Sequence, residues 1–168
     1  LIFLFMMSPV FCNAQLSRDQ VITNAESFVT FSWTAGSCNL WNGTRCSNAK
    51  IFSAPWVKVG VNESMPYCWG GWSSITQFNT AMAGCKSAGQ VCSAAGGGCS
   101  GFPSAPLSCA GGMDCSGMVT RAWGLTTKYS TTTLVNISTP VSLSSVQPGD
   151  ILNIASSHVR LVYTNNGS

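Results

Sequence analysis

The sequence predicts a single protein domain of the α+β class. Apolar residues recur at helical spacing over residues 18–31, and a second, shorter helical pattern covers residues 116–123. Near the end of the sequence, residues 151–154 and 158–163 have the composition and alternation of β-strands. With 168 residues, the chain is long enough to bury one hydrophobic core.

The first residues have the pattern of a secretory signal. Residues 1–10 are an apolar run, and Cys12-Asn13-Ala14 places small residues at the two positions that a signal peptidase reads. We expect residues 1–14 to be a partial signal peptide, cleaved after Ala14, since no initiator Met or basic segment precedes the run. The run is shorter than the roughly 20 residues of a membrane-spanning helix, so no stable membrane insertion is expected.

The composition also indicates secretion. Nine cysteines in a chain of this length are typical of an oxidising compartment. Charged residues make up only 8% of the chain and the net charge is +3 without a basic cluster, which argues against a nucleic-acid-binding surface. We therefore expect a secreted, extracellular protein that is a monomer and has no nucleic-acid partner.

The chain after the predicted signal begins with a helix and continues into a loop. Ser17-Arg18-Asp19-Gln20 has the form of a capping box at the start of the helix over residues 18–31. Residues 37–50 are rich in turn-forming residues, and a disulfide between Cys38 and Cys46 is predicted to close this loop. Residues 51–61 form either a short strand or an extended connector.

A segment at about residues 73–112 is predicted to be an insertion stapled by disulfides. It is rich in glycine, alanine and serine, and one short helix is expected within it, at residues 75–83. We assign residues 15–168 to one domain that contains this insertion. The cysteines of the insertion are Cys85, Cys92, Cys99 and Cys109.

The segment around Cys115 has the features of a nucleophile at a helix N-terminus. Gly111-Gly112 gives a flexible approach, and Asp114 is a suitable N-cap for the helix over residues 116–123. Cys115 then lies in the first helical turn, where unpaired N–H groups and the helix dipole favour an anion and lower the pKa of a thiol. The alternative is a half-cystine bonded to one of the eight other cysteines.

The last part of the chain predicts two strands after a turn at residues 146–150. Residues 128–146 show no strong period, whereas residues 151–154 and 158–163 are the predicted strands. Residues 164–167 have the signal of a hairpin turn. Because a third strand should follow such a turn, we expect the sequence to be truncated at this end as well.

His158 is the only histidine of the chain and therefore the candidate base for a cysteine nucleophile. It opens a predicted strand directly after a turn, which is a usual place for an active-site side chain. The alternative is a structural histidine.

Four segments together resemble the NlpC-type cell-wall cysteine peptidases. In the family's order they are Pro66-Tyr67-Cys68-Trp69-Gly70-Gly71, Asp114-Cys115-Ser116-Gly117, Gln147-Pro148-Gly149-Asp150-Ile151 and His158-Val159. The resemblance implies a papain-like fold, with N-terminal helices and a nucleophile-bearing helix packed on a central antiparallel sheet. It also implies hydrolysis of amide bonds in the stem peptides of peptidoglycan, commonly the bond between D-glutamate and the diamino acid. The family usually has few residues between the first two segments, where this chain has residues 72–113.

The resemblance also implies roles for individual residues. Cys115 would attack the carbonyl carbon and His158 would be the base, while the Cys115 N–H and a neighbouring donor would stabilise the oxyanion. Tyr67 would either contribute to this oxyanion site or hold the amino end of the stem peptide, and Asp114 and Ser116 would line the subsite that binds the same amino end. The third polar residue of the family, which orients the histidine, would lie past the last residue of this sequence.

The number of cysteines bears on the disulfides and on metal binding. Without Cys12 in the predicted signal and Cys115, seven cysteines remain, which is an odd number. Either Cys68 stays a thiol or a partner lies beyond the end of the sequence. Because the chain has no C-x-x-C pair and a single histidine, we expect no metal and no cofactor.

Three functions follow from these residues. The first is a secreted cysteine peptidase that acts on peptidoglycan peptides through a Cys–His mechanism. The second is a catalytically inactive, disulfide-rich secreted binding module on the same scaffold. The third is an enzyme that transfers amide or acyl groups with the same pair of residues.

Overall fold

The structure of the protein is a computed structural model that describes residues 5–9, 16–46, 49–91 and 106–164. Its composition of helices and short antiparallel strands confirms the predicted α+β class. Its helices are α1 (Arg18–Val29), α2 (Ile75–Ala83) and α3 (Cys115–Ala122). Its strands are β1 (Phe5–Pro9), β2 (Ser32–Ala35), β3 (Asn42–Cys46), β4 (Ala49–Phe52), β5 (Gly60–Glu63), β6 (Ser87–Ala88), β7 (Ala110–Gly111), β8 (Ser138–Pro140), β9 (Ile151–Ile154) and β10 (His158–Leu161).

The chain divides into two compact units. The first unit takes the chain up to Ser27 and again from Cys115 onward, and the second unit is Phe28–Asp114. Cys115, Ser116 and His158 therefore belong to the first unit. None of the helices in the described ranges is both long and apolar enough to cross a membrane.

The first unit contains a four-stranded antiparallel sheet in the order β10-β9-β1-β8. The two predicted strands, β9 and β10, form a hairpin in which Val159 lies opposite Asn153. Ile151, Asn153 and Val159 are buried. Successive side chains of a strand point to opposite faces, so the buried positions define the face of the hairpin that carries the core. β10 ends two residues before the end that the sequence predicts, and the predicted turn continues past the described residues.

The core of the first unit is built by α1, α3 and this face of the sheet. Val21 and Ala25 lie on one face of α1 because they are four residues apart. Trp123 follows the end of α3, is buried, and donates its indole N–H to the Gly149 carbonyl at 2.9 Å. The buried apolar residues of this core are Met7, Val21, Ala25, Val119, Ala122, Trp123, Leu134, Ile151 and Val159.

A partly buried ion pair joins the start of α1 to the turn before β9. Arg18 Nη1 donates to Asp150 Oδ1 at 2.7 Å and to the Pro148 carbonyl at 2.8 Å. The second carboxylate oxygen of Asp150 accepts the Gln147 N–H at 2.9 Å. The Asp150 side chain is 1% exposed, whereas that of Arg18 is 41% exposed. The carboxylate is therefore the desolvated member of the pair.

The second unit contains α2 and, within its described residues, three two-stranded pairings. β2 pairs with β5 and β3 with β4 in antiparallel fashion, while β6 and β7 are parallel. Phe78 of α2 is fully buried and packs edge-on against Phe31 and Trp33, with ring centroids 5.9 and 4.8 Å apart. These aromatic contacts anchor α2 to the β2 segment.

The predicted helix over residues 75–83 is confirmed as α2, and its start is set by a capping box. The Gln77 N–H donates to Ser74 Oγ at 3.1 Å, and Gln77 Oε1 accepts the Ser74 N–H at 2.8 Å. The two bonds satisfy backbone donors that a helix start otherwise leaves without partners.

The predicted disulfide between Cys38 and Cys46 is wrong, because Cys38 is bonded to Cys85. Cys46 instead ends β3 in the β3–β4 hairpin. Asn39 explains the pairing: its Nδ2 donates to the carbonyls of Met82 and Lys86 at 3.0 and 2.9 Å. These bonds fix the turn that carries Cys38 against the end of α2, next to Cys85.

The cysteines of the predicted insertion are only partly described. Cys85 is bonded to a residue outside the insertion, and Cys109 is also disulfide-bonded. Cys92 and Cys99 lie outside the described residues. The disulfide Cys38–Cys85 therefore ties the insertion to the chain that precedes it.

We expect the double variant Cys38→Ser/Cys85→Ser to lose about 2–4 kcal/mol of unfolding free energy. The bridge closes a loop with a sequence separation of 47 residues, so its removal enlarges the ensemble of the unfolded chain. The midpoint of urea denaturation measures the loss. Each single serine variant should lose as much as the double variant, and an unchanged midpoint in the double variant would contradict the assigned role.

The predicted signal segment, residues 1–14, contains β1. This strand pairs with β9 on one side and β8 on the other, and Met7 is buried. Cleavage after Ala14 and the domain boundaries at residues 15 and 168 stay predictions. Cleavage there would remove the strand that lies between β9 and β8.

Candidate active site

Cys115 is the first residue of α3, one position earlier than the sequence predicts for the helix start. Its sulfur is a thiol, so the half-cystine alternative does not hold. The side chain is half-buried and packs against the core of the first unit. In this position the thiol lies beside the first backbone N–H groups of the helix, which favour a negative charge.

Cys68 also carries a thiol. Its side chain is 1% exposed, whereas that of Cys115 is half-buried. The odd number of cysteines predicts one extra thiol of this kind, with Cys68 as the candidate. The two thiols thus differ in access to solvent, which gives labelling experiments an internal comparison.

His158 is the first residue of β10 and is exposed. Its imidazole forms no hydrogen bond or ion pair with any residue that the structure describes. Alternation along β10 directs His158 to the face opposite the buried Val159, whereas Cys115 packs against the core that contains Val159. The fold brings α3 and β10 into contact, but it does not join the imidazole to the thiol.

Ser116 is a buried residue of α3, 4% exposed. Its carbonyl accepts a hydrogen bond from Thr120 Oγ1 at 2.7 Å. Its predicted role in binding substrate stays a prediction.

Tyr67 and Asp114 belong to the second unit, in two segments that run side by side. The Cys68 N–H donates to the Met113 carbonyl at 3.0 Å, and the Met113 N–H donates to the Pro66 carbonyl at 3.1 Å. The Asp114 N–H donates to the Gly71 carbonyl at 2.9 Å. The segment Pro66–Gly71 is therefore hydrogen-bonded to the residues that directly precede Cys115.

Two glycines make this close approach possible. A Cβ on Gly71 would overlap the Gly112 carbonyl, and one on Gly112 would overlap the Pro66 carbonyl. Gly112 also has a φ of +139°, which disfavours any residue with a side chain. Tyr67 is 38% exposed and Asp114 is half-buried, so both have contact with solvent.

Two buried polar residues of the first unit, Asn153 and Asp150, were not identified from the sequence as parts of the core. The Asn153 side chain lies on β9, and its Oδ1 is buried with no hydrogen-bond partner in the described part of the chain. The pairing of Arg18 with Asp150 was also missed. An asparagine flanked by Leu152 and Ile154 in an apolar strand is the signal that could have identified the first of them.

Metal ligation finds no support in the described residues. No group of three or more histidine, cysteine, aspartate or glutamate side chains is close enough there to hold an ion.

In comparisons with models of protein families, with curated proteins and with solved structures, no significant match to this chain was found.

Proposed function

We propose that this protein is a secreted cysteine peptidase of the NlpC type that hydrolyses amide bonds in peptidoglycan stem peptides. The observation that carries the proposal is the thiol of Cys115 at the first position of α3, a helix that contacts the strand opened by the only histidine of the chain. The four sequence segments that resemble the family add the substrate class. Two of these segments, remote in sequence, are hydrogen-bonded to each other.

The proposed fold is papain-like, with a disulfide-stapled insertion between the first two of these segments. Two features support this fold. The helix α3, which begins with Cys115, packs on an antiparallel sheet, and the edge strand β10 of that sheet begins with His158. The disulfide of Cys85 supports the stapling of the insertion.

The proposed reaction proceeds through an acyl-enzyme. The Cys115 thiolate attacks the carbonyl carbon of the amide bond, and backbone N–H groups at the start of α3 stabilise the oxyanion. His158 takes the proton of the Cys115 thiol and gives it to the departing amine. It then takes a proton from the water that hydrolyses the thioester, and Cys115 leaves as a thiolate. Tyr67, Asp114 and Ser116 bind the amino end of the stem peptide.

This mechanism requires the His158 imidazole to move to the thiol. No hydrogen bond to a described residue holds the exposed imidazole, but His158 is paired with Ile154 in the β9–β10 hairpin, so the movement has to include the backbone at the start of β10. Catalytic hydrogen bonds are often long or poorly aligned in enzymes without substrate and tighten in the substrate complex.

The second candidate is a catalytically inactive binding module on the same scaffold. The observation that favours it is the orientation of His158, which does not reach Cys115 in the structure. The two candidate functions predict different reactivities for the thiol of Cys115.

Alkylation of the native protein with iodoacetamide, read by peptide mass spectrometry over a range of pH, tests the proposal. For a peptidase we expect Cys115 to react below the pH at which an ordinary thiol ionises, about 8.5, and faster than the buried Cys68. His158→Ala should move the pH profile of Cys115 toward that of an ordinary thiol. A wild-type profile equal to that of glutathione would favour the binding module. Masses of fragments released from purified peptidoglycan separate hydrolysis from group transfer.

A further inference from the structure

A cavity of about 470 Å³ lies in the second unit, beside α2. Its volume is in the range of sites for small molecules. It is lined by α2 and by the segments around residues 71–73, 86 and 106–112, and none of the predicted catalytic or substrate-binding residues lines it. It lies largely in the predicted insertion, so the family resemblance assigns it no role.

Lys86 supplies the charge of this cavity. Among the residues that line it, Lys86 is the charged one and no carboxylate is present. Its ammonium forms no ion pair in the part of the chain that the structure describes. A half-buried cation without a carboxylate partner favours the binding of an anionic group.

The backbone of Lys86 is held in place by several independent contacts. Its N–H donates to the Ala81 carbonyl at 3.0 Å, and its carbonyl accepts the amide of the buried Asn39 at 2.9 Å. The preceding residue, Cys85, is bonded to Cys38 and has a φ of +54°, an unfavourable value for a residue with a side chain. Together with the bond from the Cys85 N–H to the Met82 carbonyl at 3.0 Å, this is the usual end of a helix, and it fixes the backbone of Lys86 beside the cavity.

The remaining polar groups of the cavity are mainly hydroxyls. Those of Thr76 and Ser108 form no hydrogen bond with the described residues. Ser73 Oγ accepts the Gly112 N–H at 3.3 Å and keeps its own hydrogen for another acceptor. Trp72 also lines the cavity, and an indole offers a flat apolar surface on which a sugar ring can stack.

We propose that this cavity binds an acidic saccharide, a sugar that carries a carboxylate. The carboxylate would pair with Lys86, the sugar hydroxyls with Ser73, Thr76 and Ser108, and one face of the ring with Trp72. A neutral sugar would leave the lysine without a partner, and a simple anion would use neither the hydroxyls nor the indole. The proposal does not rest on the proposed peptidase activity.

Titration of the full chain with glucuronate, glucose and acetate, followed by the amide signals in ¹⁵N NMR spectra, tests this proposal. We expect glucuronate to shift the signals of Thr76, Lys86 and Ser108 and to bind about tenfold more tightly than glucose or acetate. Lys86→Met should weaken the binding of glucuronate about tenfold and leave that of glucose unchanged. Thr76→Val, which keeps the shape of the side chain, should weaken both sugars.

Lys58→Met is the matched control, because Lys58 is an exposed lysine of the same unit that does not line the cavity. It should bind glucuronate as the wild type does, and circular dichroism should show the same fold for all variants. Three results would overturn the proposal: no shifted signals in the cavity at saturating glucuronate, acetate binding as tightly as glucuronate, or equal losses in the Lys86 and Lys58 variants.

Discussion

Replacing Cys115 with serine is expected to lower the rate of peptidoglycan hydrolysis by about 10⁴-fold or more. A serine hydroxyl stays protonated near neutral pH, whereas a thiol at a helix start can ionise and attack a carbonyl carbon. The substitution exchanges one atom at a half-buried position, so α3 and the core beside it should remain intact. The release of stem-peptide fragments from purified peptidoglycan, quantified by mass spectrometry, measures the change.

Cys68→Ala is the matched control for this variant. It removes the other described thiol, which lies in the second unit and is buried. We expect it to hydrolyse peptidoglycan at the wild-type rate. Hydrolysis by Cys115→Ser at the rate of the wild type would refute the assignment of the nucleophile, and circular dichroism identifies a variant that is inactive because it is unfolded.

The sequence predicted the helices well because their signals are local. The Gln20 N–H donates to Ser17 Oγ at 3.1 Å at the start of α1, and Ser74 caps α2 in the same way. A side chain that bonds to the backbone three residues later makes the start of a helix depend on a short stretch of sequence. The position of Cys115 in the first turn of α3 was also predictable, because the start of this helix depends on the residues next to it in sequence.

Strand pairing and the disulfide were less predictable because their partners are distant in sequence. The alternation in β9 and β10 is visible in the sequence, but β8 comes from a serine- and threonine-rich stretch without alternation. The partner of Cys38 lies 47 residues away, and the spacing to Cys46 carried no information about it. The bonds of Asn39 to the carbonyls of Met82 and Lys86, which hold Cys38 next to Cys85, also join residues that are distant in sequence.

In the candidate site, too, the local features were predictable and those that depend on distant residues were not. The residue types and their order in the chain point to Cys115 and His158, and they place one on a helix and the other at the start of a strand. The direction of the His158 side chain was not predictable, because it depends on which face of the β9–β10 hairpin carries the core. The burial of Val159 decides this, and it turns the imidazole outward.

We expect Arg18→Met to lower the free energy of unfolding by about 3 kcal/mol. The substitution keeps the length of the side chain but leaves the Asp150 carboxylate buried without its cation. The bond from the Gln147 N–H remains, but a bond to a neutral donor does not replace the charge of the guanidinium. A shift of the urea denaturation midpoint, at an unchanged slope, measures the loss.

Asp150→Asn is expected to be less destabilising than Arg18→Met, at about 1–2 kcal/mol, because the two partners differ in burial. The Arg18 side chain is 41% exposed, so water can solvate a guanidinium that has lost its carboxylate. In Arg18→Met the Asp150 carboxylate stays buried, so water cannot solvate its charge. The double variant should therefore be more stable than Arg18→Met alone, which a double-mutant cycle measures directly.

Arg160→Met provides the control for the loss of an arginine from the first unit. Arg160 is exposed on β10 and forms no ion pair among the residues described. We expect its denaturation midpoint to stay close to that of the wild type, since isolated surface charges contribute little to stability. Equal losses in the Arg18 and Arg160 variants would show that the ion pair between Arg18 and Asp150 does not hold the start of α1 to the turn before β9.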